Sequence, residues 1–579
     1  MAYISYISGP IVKARLENEK VSLLELAYVG KIGLIGEVVE LELDIVIIQV
    51  YENTDGLKLG EQVKFMNEML CATLGPGLLG NVLDGLGRPL KEIGEKIKKG
   101  LKIDSLDKEK KWKFKPFLKK EDSVKGGDII GEIIEGEDFY HKIIMPQEYE
   151  GVVEDIKTEG KYTLEDIILT CKDGYELKLS IKHPIRLPRS YKKRLTPNEP
   201  LITGQRIVDF LFPLVKGGTA AIPGGFGTGK TILQQTLAKM CDADIIVYIG
   251  CGERGNEMTE VLEEFPELTD KNTGKKLIER TILIANTSDM PVSAREASMF
   301  LGITIAEYYR DMGLHVAIMA DSTSRWAEAM RELSGRMNEL PVEEGFPAYL
   351  SSKIASAYER AGYVLTHSNK KGSISMIGAI SPPGGDMSEP VTRHTRKYTG
   401  TFWALDKELA SARFYPAINY IQSYTAYKDN VKAWWNDIHS DTFDMQEWTI
   451  VTLQKDDKLQ KIVKLLGIES LPEEQKLVVE IGYFIKEIFL QQNTFDEIDM
   501  FSTPERMIKV IKTIFLINTL WKKCLKEKHI PVNILKEQNV IKKFIQSKYN
   551  IQNENIDFFE DLDKSIKETY ENLIISYGA

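Results

Sequence analysis

The sequence predicts a multidomain α/β protein with an N-terminal β-barrel, an inserted β module, a central parallel-sheet domain and a helical C-terminal part. Its 579 residues exceed what one hydrophobic core accommodates, so several domains are expected. Short β-branched segments punctuated by glycine dominate the first third, whereas apolar strands alternate with helical segments further on. The predicted divisions are 1–70, 71–109, 110–185, 186–430 and 431–579.

Residues 1–70 carry β-branched segments separated by turn residues. The strand-like segments are residues 4–14, 32–41 and 44–51. Several short strands close together predict a small barrel, because a barrel protects its own strand edges. Residues 71–109 are expected to form a connection, of which 79–90 is extended and punctuated by glycine.

Residues 110–185 are predicted to form a second small β module, because further strand-like segments with glycine turns occur there. At its start, residues 107–125 interleave lysines with Trp112, Phe114 and Phe117. Such a mixture can bind single-stranded nucleic acid. The net charge of −10 instead favours a connector whose aromatic side chains pack on a neighbouring domain, and we expect no nucleic-acid partner.

The central region 186–430 is expected to begin with a linker at 186–200 and to continue as short apolar strands between helices. The strands are predicted at residues 219–223, 244–249, 280–285 and 315–320. This alternation is typical of a parallel sheet covered on both faces, with ligands at the carboxyl ends of the strands. In the last part, 431–579, helical spacing at 458–466, 477–490 and 506–516 predicts a helical bundle.

Cysteine and histidine usage argues against several kinds of site. The five cysteines are scattered without a C-x-x-C pair, and the seven histidines form no H-E-x-x-H motif. We therefore expect no disulfide framework, no zinc and no haem. The N-terminus lacks a basic segment followed by an apolar run, and no apolar stretch approaches the roughly 20 residues of a membrane helix. A cytoplasmic location is expected, with any membrane attachment provided by partners.

The central domain contains a phosphate-binding loop of the pattern G-x-x-x-x-G-K-[ST], the P-loop or Walker A motif. Its residues are Gly224, Gly225, Phe226, Gly227, Thr228, Gly229, Lys230 and Thr231. Glycines allow backbone N–H groups to turn towards phosphate oxygens, Lys230 can reach the β- and γ-phosphates, and the Thr231 hydroxyl can ligate Mg²⁺. Residues 231–240 are predicted to form a helix whose positive end faces the phosphates. The loop therefore predicts nucleotide binding.

Five further residues are candidates for the chemistry of phosphoryl transfer. Asp321 ends an apolar strand and can hold Mg²⁺ directly or through water, and Glu253 follows a strand and can orient the attacking water. Arg254 can pair with phosphate or with another acid, while Arg325 is either a source of positive charge or a structural ion-pair partner. Tyr415 is a candidate for contact with adenine, although aromatic residues more often belong to the core.

Four motifs resemble those of one family, the catalytic A (alpha) subunit of V-type and archaeal-type rotary ATPases, or ATP synthases. They lie at residues 224–231, 252–257, 321–329 and 381–386, and segments 75–80 and 489–497 extend the similarity over almost the whole chain. The inserted β module resembles the bulge that distinguishes this subunit from the shorter F-type β subunit. The resemblance implies a RecA-like fold for the nucleotide-binding domain.

The resemblance also implies an assembly. Three such chains would alternate with three non-catalytic B subunits in a ring-shaped head. At the interfaces between them, the head would hydrolyse MgATP to ADP and phosphate or synthesise it from them. Central-stalk and peripheral-stalk subunits would couple the head to H⁺ or Na⁺ passage in a membrane sector. The chain would thus be peripheral on the cytoplasmic face of a membrane.

Residue roles follow from the same resemblance. Glu253 would polarise the attacking water, and Lys230, Arg254 and Asp321 would surround the phosphates and Mg²⁺. Tyr415 would lie against the adenine. A further arginine would come from the neighbouring subunit, so the isolated chain should be a poor ATPase.

Two alternatives belong to other functional classes. A non-catalytic nucleotide-binding subunit would need a damaged phosphate loop or no acid at Glu253, and neither is seen in the sequence. An RNA translocase of the Rho kind also joins a β domain to a related ATPase core, but the acidic balance and the helical C-terminal part disfavour it. Thr228 stands where eukaryotic vacuolar relatives carry a cysteine, which favours a bacterial or archaeal-type enzyme. This chain determines neither the transported ion nor the direction of the reaction.

Overall fold

The computed structural model describes residues 1–93, 99–100, 103–136, 139–270 and 274–577. The chain divides into two compact units. Unit 1 comprises Met1–Pro197, Lys216–Ala221 and Ala243–Thr399, and unit 2 comprises Asn198–Val215, Ile222–Asp242 and Gly400–Ala579.

Unit 1 begins with a closed barrel of six strands in the order β1-β2-β5-β4-β3-β6. Small and β-branched residues such as Val12, Ala27 and Val38 fill its interior. Closure pairs every strand on both sides, which confirms the predicted barrel. The strands are β1 (Ala2–Ser8), β2 (Ile11–Leu16), β3 (Glu25–Val29), β4 (Leu34–Glu42), β5 (Ile45–Val50) and β6 (Gln62–Met69).

The inserted module of unit 1 consists of two four-stranded antiparallel sheets, with the orders β10-β13-β15-β16 and β12-β11-β9-β14. Trp112 and Phe114, from the basic and aromatic stretch, are buried on β9, so this part of the stretch is a strand of the module and not the predicted connector. Phe114 packs against Tyr162 of β14, whereas Trp112 lies next to Gly77 outside the module. The strands are β9 (Trp112–Pro116), β10 (Ser123–Lys125), β11 (Ile129–Glu135), β12 (Phe139–Ile144), β13 (Glu150–Ile156), β14 (Gly160–Tyr162), β15 (Ile167–Cys171) and β16 (Glu176–Lys178).

The main sheet of unit 1 has parallel strands in the order β24-β22-β20-β21-β8, as the sequence pattern predicts for the longer strands at 244–249, 280–285 and 315–320. Four strands here lie outside the predicted segments: β8 is in the predicted connection, β18 is in the predicted linker and pairs with β23, and neither β23 nor the long parallel strand β24 was predicted. Segments of two or three residues are too short to show a hydrophobic period, and their pairing depends on the partner strand. The strands outside the barrel and the module are β7 (Cys71–Leu74), β8 (Val82–Leu83), β17 (Ile181–Pro184), β18 (Lys193–Leu195), β20 (Ile245–Glu253), β21 (Thr281–Thr287), β22 (His315–Asp321), β23 (Gly362–Leu365) and β24 (Lys371–Ile380).

Helix α4 is the central helix of unit 1, and almost all of its side chains are buried. Its carboxylates meet arginines from outside the helix in three close ion pairs, namely Glu296–Arg186, Glu307–Arg360 and Asp311–Arg189. Buried charges of this kind are tolerated only when paired. The helices of this unit are α1 (Leu90–Ile93), α3 (Gly255–Glu264), α4 (Val292–Asp311), α5 (Thr323–Arg336), α6 (Leu350–Tyr358) and α7 (Pro390–Tyr398).

Unit 2 contains the phosphate-binding loop, helix α2 and the helical C-terminal part. Strand β19 (Thr219–Pro223) leads into the loop, and its last two residues belong to this unit. The remaining elements are β25 (Thr401–Phe402), β26 (Tyr424–Thr425), α2 (Lys230–Met240), α8 (Lys407–Ser411), α9 (Lys428–Ile438), α10 (Thr442–Leu466), α11 (Glu473–Tyr483), α12 (Pro504–Lys528), α13 (Val532–Lys536), α14 (Asn539–Asn550) and α15 (Asp557–Ser576). None of the helices among the described residues has the length and apolar character needed to cross a membrane.

Candidate active site

The loop at 224–231 has a backbone that requires its glycines. Gly227 and Gly229 have φ of +76° and +87°, in the left-handed region that favours glycine. A Cβ atom on Gly224 would lie 2.5 Å from the Thr228 hydroxyl oxygen and 2.8 Å from Leu405 Cβ. Three of the four glycines in the motif are therefore needed for the path of the chain, and not only for binding a ligand.

Lys230 and Thr231 occupy the first turn of α2, which begins directly after the left-handed Gly229. The Lys230 ammonium donates hydrogen bonds to the carbonyls of Gly224, at 2.9 Å, and Gly225, at 3.1 Å. The charge thus lies over the concave side of the loop. Four backbone N–H groups at the start of any helix lack intrahelical partners, so this turn is suited to an anion.

A cavity of about 500 Å³ opens beside the loop within unit 2. Tyr415 lines it, and its Cε1 atom would lie 3.7 Å from a Cβ built on Gly229. The Tyr415 ring is 38% exposed, so part of its surface is available to a ligand. The structure therefore brings the predicted adenine contact next to the predicted phosphate site.

The cavity is also lined by residues that were not predicted from the sequence. Gln205, Gln491 and Tyr549 line it, although they are distant from the loop along the chain. No local pattern marks these residues, because each reaches the cavity only through tertiary packing. Gln491 does lie inside the segment 489–497 that supports the family resemblance, which is the one available signal.

The predicted acids lie together in unit 1. Glu253 is the last residue of β20, and Asp321 is the last residue of the neighbouring parallel strand β22. Asp321 is buried and accepts a hydrogen bond from the Tyr248 hydroxyl at 3.3 Å. Parallel strands bring their carboxyl ends to the same edge of a sheet, which explains why the two carboxylates are close.

The Glu253 carboxyl is electrostatically perturbed. Burial raises its pKa to about 8, and the negative charge of Asp321 and a hydrogen bond with Glu257 act in the same direction. A carboxyl group in such surroundings holds a proton near neutral pH. This property is typical of acids and bases at functional sites, although structural clusters of carboxylates show it too.

The two predicted arginines have different surroundings. Arg254 precedes α3, is exposed, and has an extended backbone with φ of −66° and ψ of 145°. The Arg325 guanidinium forms an ion pair with Glu328 at 2.7 Å, and both side chains are more than one third exposed. Of the two roles considered for Arg325, the ion pair is thus present in the structure.

Family models match the chain in four consecutive segments. They describe the β-barrel domain of the ATP synthase alpha/beta family at residues 4–67, the barrel-sandwich domain of alpha/beta subunits at 103–186 and the nucleotide-binding domain of the same family at 204–425. A fourth model, for the C-terminal domain of V and A type ATP synthase, matches residues 432–531.

Curated relatives match almost the full length. The V-type ATP synthase alpha chain of Halothermothrix orenii is 49% identical, with 99% of each chain covered. The corresponding A subunits of the A-type ATP synthases are similar: that of Methanopyrus kandleri is 48% identical and that of Sulfolobus acidocaldarius 45% identical, with 98% of each chain covered in both comparisons.

Among solved structures, the assembled ATPase EscN from the type III secretion system of enteropathogenic E. coli has a similar fold. The TM-score is 0.63, and the match covers 89% of this chain and 100% of that chain. Its 23% sequence identity supports a common fold alone.

Proposed function

The chain belongs to the catalytic A subunits, or alpha chains, of the V-type and A-type ATP synthases, and we propose that its phosphate-binding loop holds ATP while Glu253 activates water. Membership makes it the ATP-hydrolysing and ATP-synthesising subunit of a multi-subunit, membrane-associated enzyme. The observation that best supports the residue assignment is the position of Glu253, at the end of a central strand and beside the strand that ends in Asp321.

The triphosphate is proposed to bind at the first turn of α2. The backbone N–H groups of the loop and the Lys230 ammonium would surround the β- and γ-phosphates. Lys230 already donates to two loop carbonyls, Gly224 and Gly225, so its ammonium is near the position where phosphate oxygens would replace them. An ammonium serves here as a compact point charge.

Thr231 and Asp321 are proposed to hold Mg²⁺, directly or through water. A hydroxyl and a carboxylate are the hard oxygen donors that Mg²⁺ prefers, and the ion usually completes its shell with phosphates and water. Two protein oxygens leave the rest of the shell to phosphates and water, so this pair of donors fits an ion that arrives with the nucleotide. When bound, Mg²⁺ would neutralise charge that develops on the phosphates.

Glu253 is proposed to accept a proton from the attacking water. The water oxygen forms a bond to the γ-phosphorus while the bond from that phosphorus to the β,γ-bridging oxygen breaks, which leaves ADP and phosphate. A carboxyl group whose pKa is near neutrality can accept this proton and release it again. Only the deprotonated form of Glu253 can accept the proton, and the raised pKa of about 8 makes that form a stronger base than an ordinary carboxylate.

Arg254, next to Glu253, is proposed to contact the phosphates, and Arg325 to support the site through its pair with Glu328. The exposed position of Arg254 at the start of α3 leaves it room to approach a ligand. A second arginine supplied by the neighbouring subunit would add to the positive charge, and such residues contribute roughly 10³ to 10⁵ in rate. Tyr415 is proposed to contact the adenine.

The relatives' names imply a multi-subunit ATP synthase, and the finer arrangement is proposed from the family resemblance. Non-catalytic B subunits would alternate with this chain in a ring of three and three, with central and peripheral stalks linking the ring to a membrane sector that carries H⁺ or Na⁺. The chain itself would be peripheral on the cytoplasmic face. Co-purification from membranes would identify these partners directly.

The decisive variant is Glu253→Gln in the assembled head. Because glutamine keeps the shape of the side chain but cannot accept the proton, hydrolysis should fall by about 10²- to 10⁴-fold with nearly unchanged MgATP affinity. Glu332→Gln, which changes an exposed glutamate on α5, is the matched control and should leave both quantities unchanged. Steady-state hydrolysis and equilibrium nucleotide binding provide the two measurements.

Two results would contradict the proposal. Substantial residual hydrolysis in Glu253→Gln would refute the assignment of this residue. Lys230→Ala should lose MgATP affinity, and unchanged binding by that variant would rule out the proposed phosphate site.

A further inference from the structure

One wall of the cavity beside the phosphate-binding loop comes from a helix near the end of the chain. Tyr549, in the last turn of α14, lines the cavity together with Gly229, Leu233 and Tyr415. The side chain of Tyr549 is 43% exposed, similar to the 38% of Tyr415. Together with Phe495, which is 91% exposed, three aromatic side chains therefore line one cavity of about 500 Å³ in unit 2.

The end of α14 is held in place by Lys548, whose side chain is only 5% exposed. Its ammonium donates a hydrogen bond of 2.7 Å to the Glu487 carbonyl and a further one to the Gln491 side chain, and it lies 3.7 Å from an Asp499 carboxylate oxygen. The Lys548 carbonyl in turn accepts a hydrogen bond of 2.9 Å from Arg506. A buried ammonium needs such partners, and here they fix the residue that precedes Tyr549.

The loop that carries Tyr415 is tied to the same segment. The Gln492 backbone N–H donates a hydrogen bond of 2.7 Å to the Tyr415 carbonyl. The Gln492 side chain is fully buried, accepts from the Arg206 backbone N–H, and donates to the Gly204 and Asp499 carbonyls at 3.0 Å each. Segment 491–492 therefore links the loop that carries Tyr415 to the helix that carries Tyr549.

We propose that Tyr549 is a second base-contacting residue, which places part of the adenine site on α14. This inference rests on the proposed function, since it assumes that ATP phosphates bind at the loop. A purine is a flat apolar ring that aromatic side chains contact favourably, and ligand pockets are typically lined by such rings with a few fixed polar groups. The Lys548 and Gln492 hydrogen bonds pre-organise the two tyrosines, which lowers the cost of ordering them when the base binds.

The test compares ligands with and without the base, using the full chain. Tyr549→Ala should weaken MgATP binding about tenfold and leave the affinity for Mg²⁺-tripolyphosphate unchanged, because only ATP carries the base. Tyr549→Phe keeps the ring and should stay within about twofold of the parent for both ligands. Tyr483→Ala is the matched control, since Tyr483 is 42% exposed on α11 in the same unit and does not line the cavity.

A second measurement reports contact directly. In a Tyr549→Trp variant, MgATP should quench more indole fluorescence than in the parent chain, whereas tripolyphosphate should not. Equal affinities of parent and Tyr549→Ala for ATP, or equal losses for both ligands, would overturn the role of Tyr549. Failure of the proposed phosphate site would look different, because Lys230→Ala would then bind tripolyphosphate as tightly as the parent.

Discussion

At the scale of single residues, the surroundings of Glu253 decide its chemistry. A glutamate in water titrates well below neutral pH, but burial and the nearby Asp321 charge raise the pKa of this carboxyl group to about 8. The strands β20 and β22 hold the two carboxyl groups close together at the sheet edge. The folded state is therefore less stable when both groups are charged than when Glu253 is protonated.

This arrangement predicts a pH dependence of stability. A folded-state pKa raised above the unfolded value of about 4.5 contributes stability that is fully present below that value and is lost as the pH rises through about 8. Glu253→Gln removes the titration, so the variant should gain stability relative to the parent chain between pH 5 and pH 9. Thermal unfolding at both pH values provides the measurement, and an identical difference at the two pH values would contradict the raised pKa.

At the scale of elements, helix α4 is buried although it carries several charged side chains, because these side chains form ion pairs. Arg186 lies between Glu296 of α4 and Glu37 of the barrel, at 2.6 Å and 3.0 Å, with all three side chains largely buried. The nearby guanidinium lowers the pKa of Glu296 to about 2 against the opposing effect of burial. One cation thus connects the barrel to the central helix of unit 1.

Removing that cation should be costly. Arg186→Met leaves two buried carboxylates without their arginine, and the loss of one member of a buried pair typically destabilises a protein by about 3 to 5 kcal/mol. Arg336→Gln is the matched control, because Arg336 forms an exposed pair with Glu332 and such pairs contribute less than about 1 kcal/mol. Urea unfolding of both variants would measure the difference. An equal, small effect of the two substitutions would show that the buried arginine is dispensable.

The inserted β module is attached to the same helix by a buried polar chain. The His141 ring lies 2.9 Å from a Glu135 carboxylate oxygen and 2.8 Å from the Tyr308 hydroxyl, and Glu135 also accepts from the Gly77 backbone N–H at 2.7 Å. Buried polar groups are satisfied in this way in stable proteins. The chain of hydrogen bonds fixes the module to α4 and to the segment after the barrel.

At the scale of the whole molecule, the proposal assigns part of the site to a neighbouring subunit. If a neighbouring subunit supplies an arginine, the isolated chain should bind MgATP but hydrolyse it slowly, and addition of B subunits should raise hydrolysis roughly 10³-fold or more. Measuring hydrolysis of the isolated chain and of the reconstituted head checks this. Equal rates in the two preparations would contradict a contribution in trans.

Much of the fold and the phosphate-binding loop could be predicted from short stretches of contiguous sequence. The phosphate-binding loop, the helix after it, the barrel, the parallel strands at 244–249, 280–285 and 315–320 and the helical C-terminal part were predicted, because each depends on the conformational preferences or the spacing of neighbouring residues. The position of Asp321 at the end of its strand was also predicted, since an apolar run ends there.

Only the tertiary structure determined the rest. It alone added strands β8 and β24 to the parallel sheet, placed Tyr549 beside the phosphate-binding loop and raised the pKa of Glu253. Each of these features depends on groups far apart in the chain, and no local pattern records which distant groups will pack together. Burial and charge then act at the distances that this packing sets, which is why the environment of a site cannot be calculated from its motif alone.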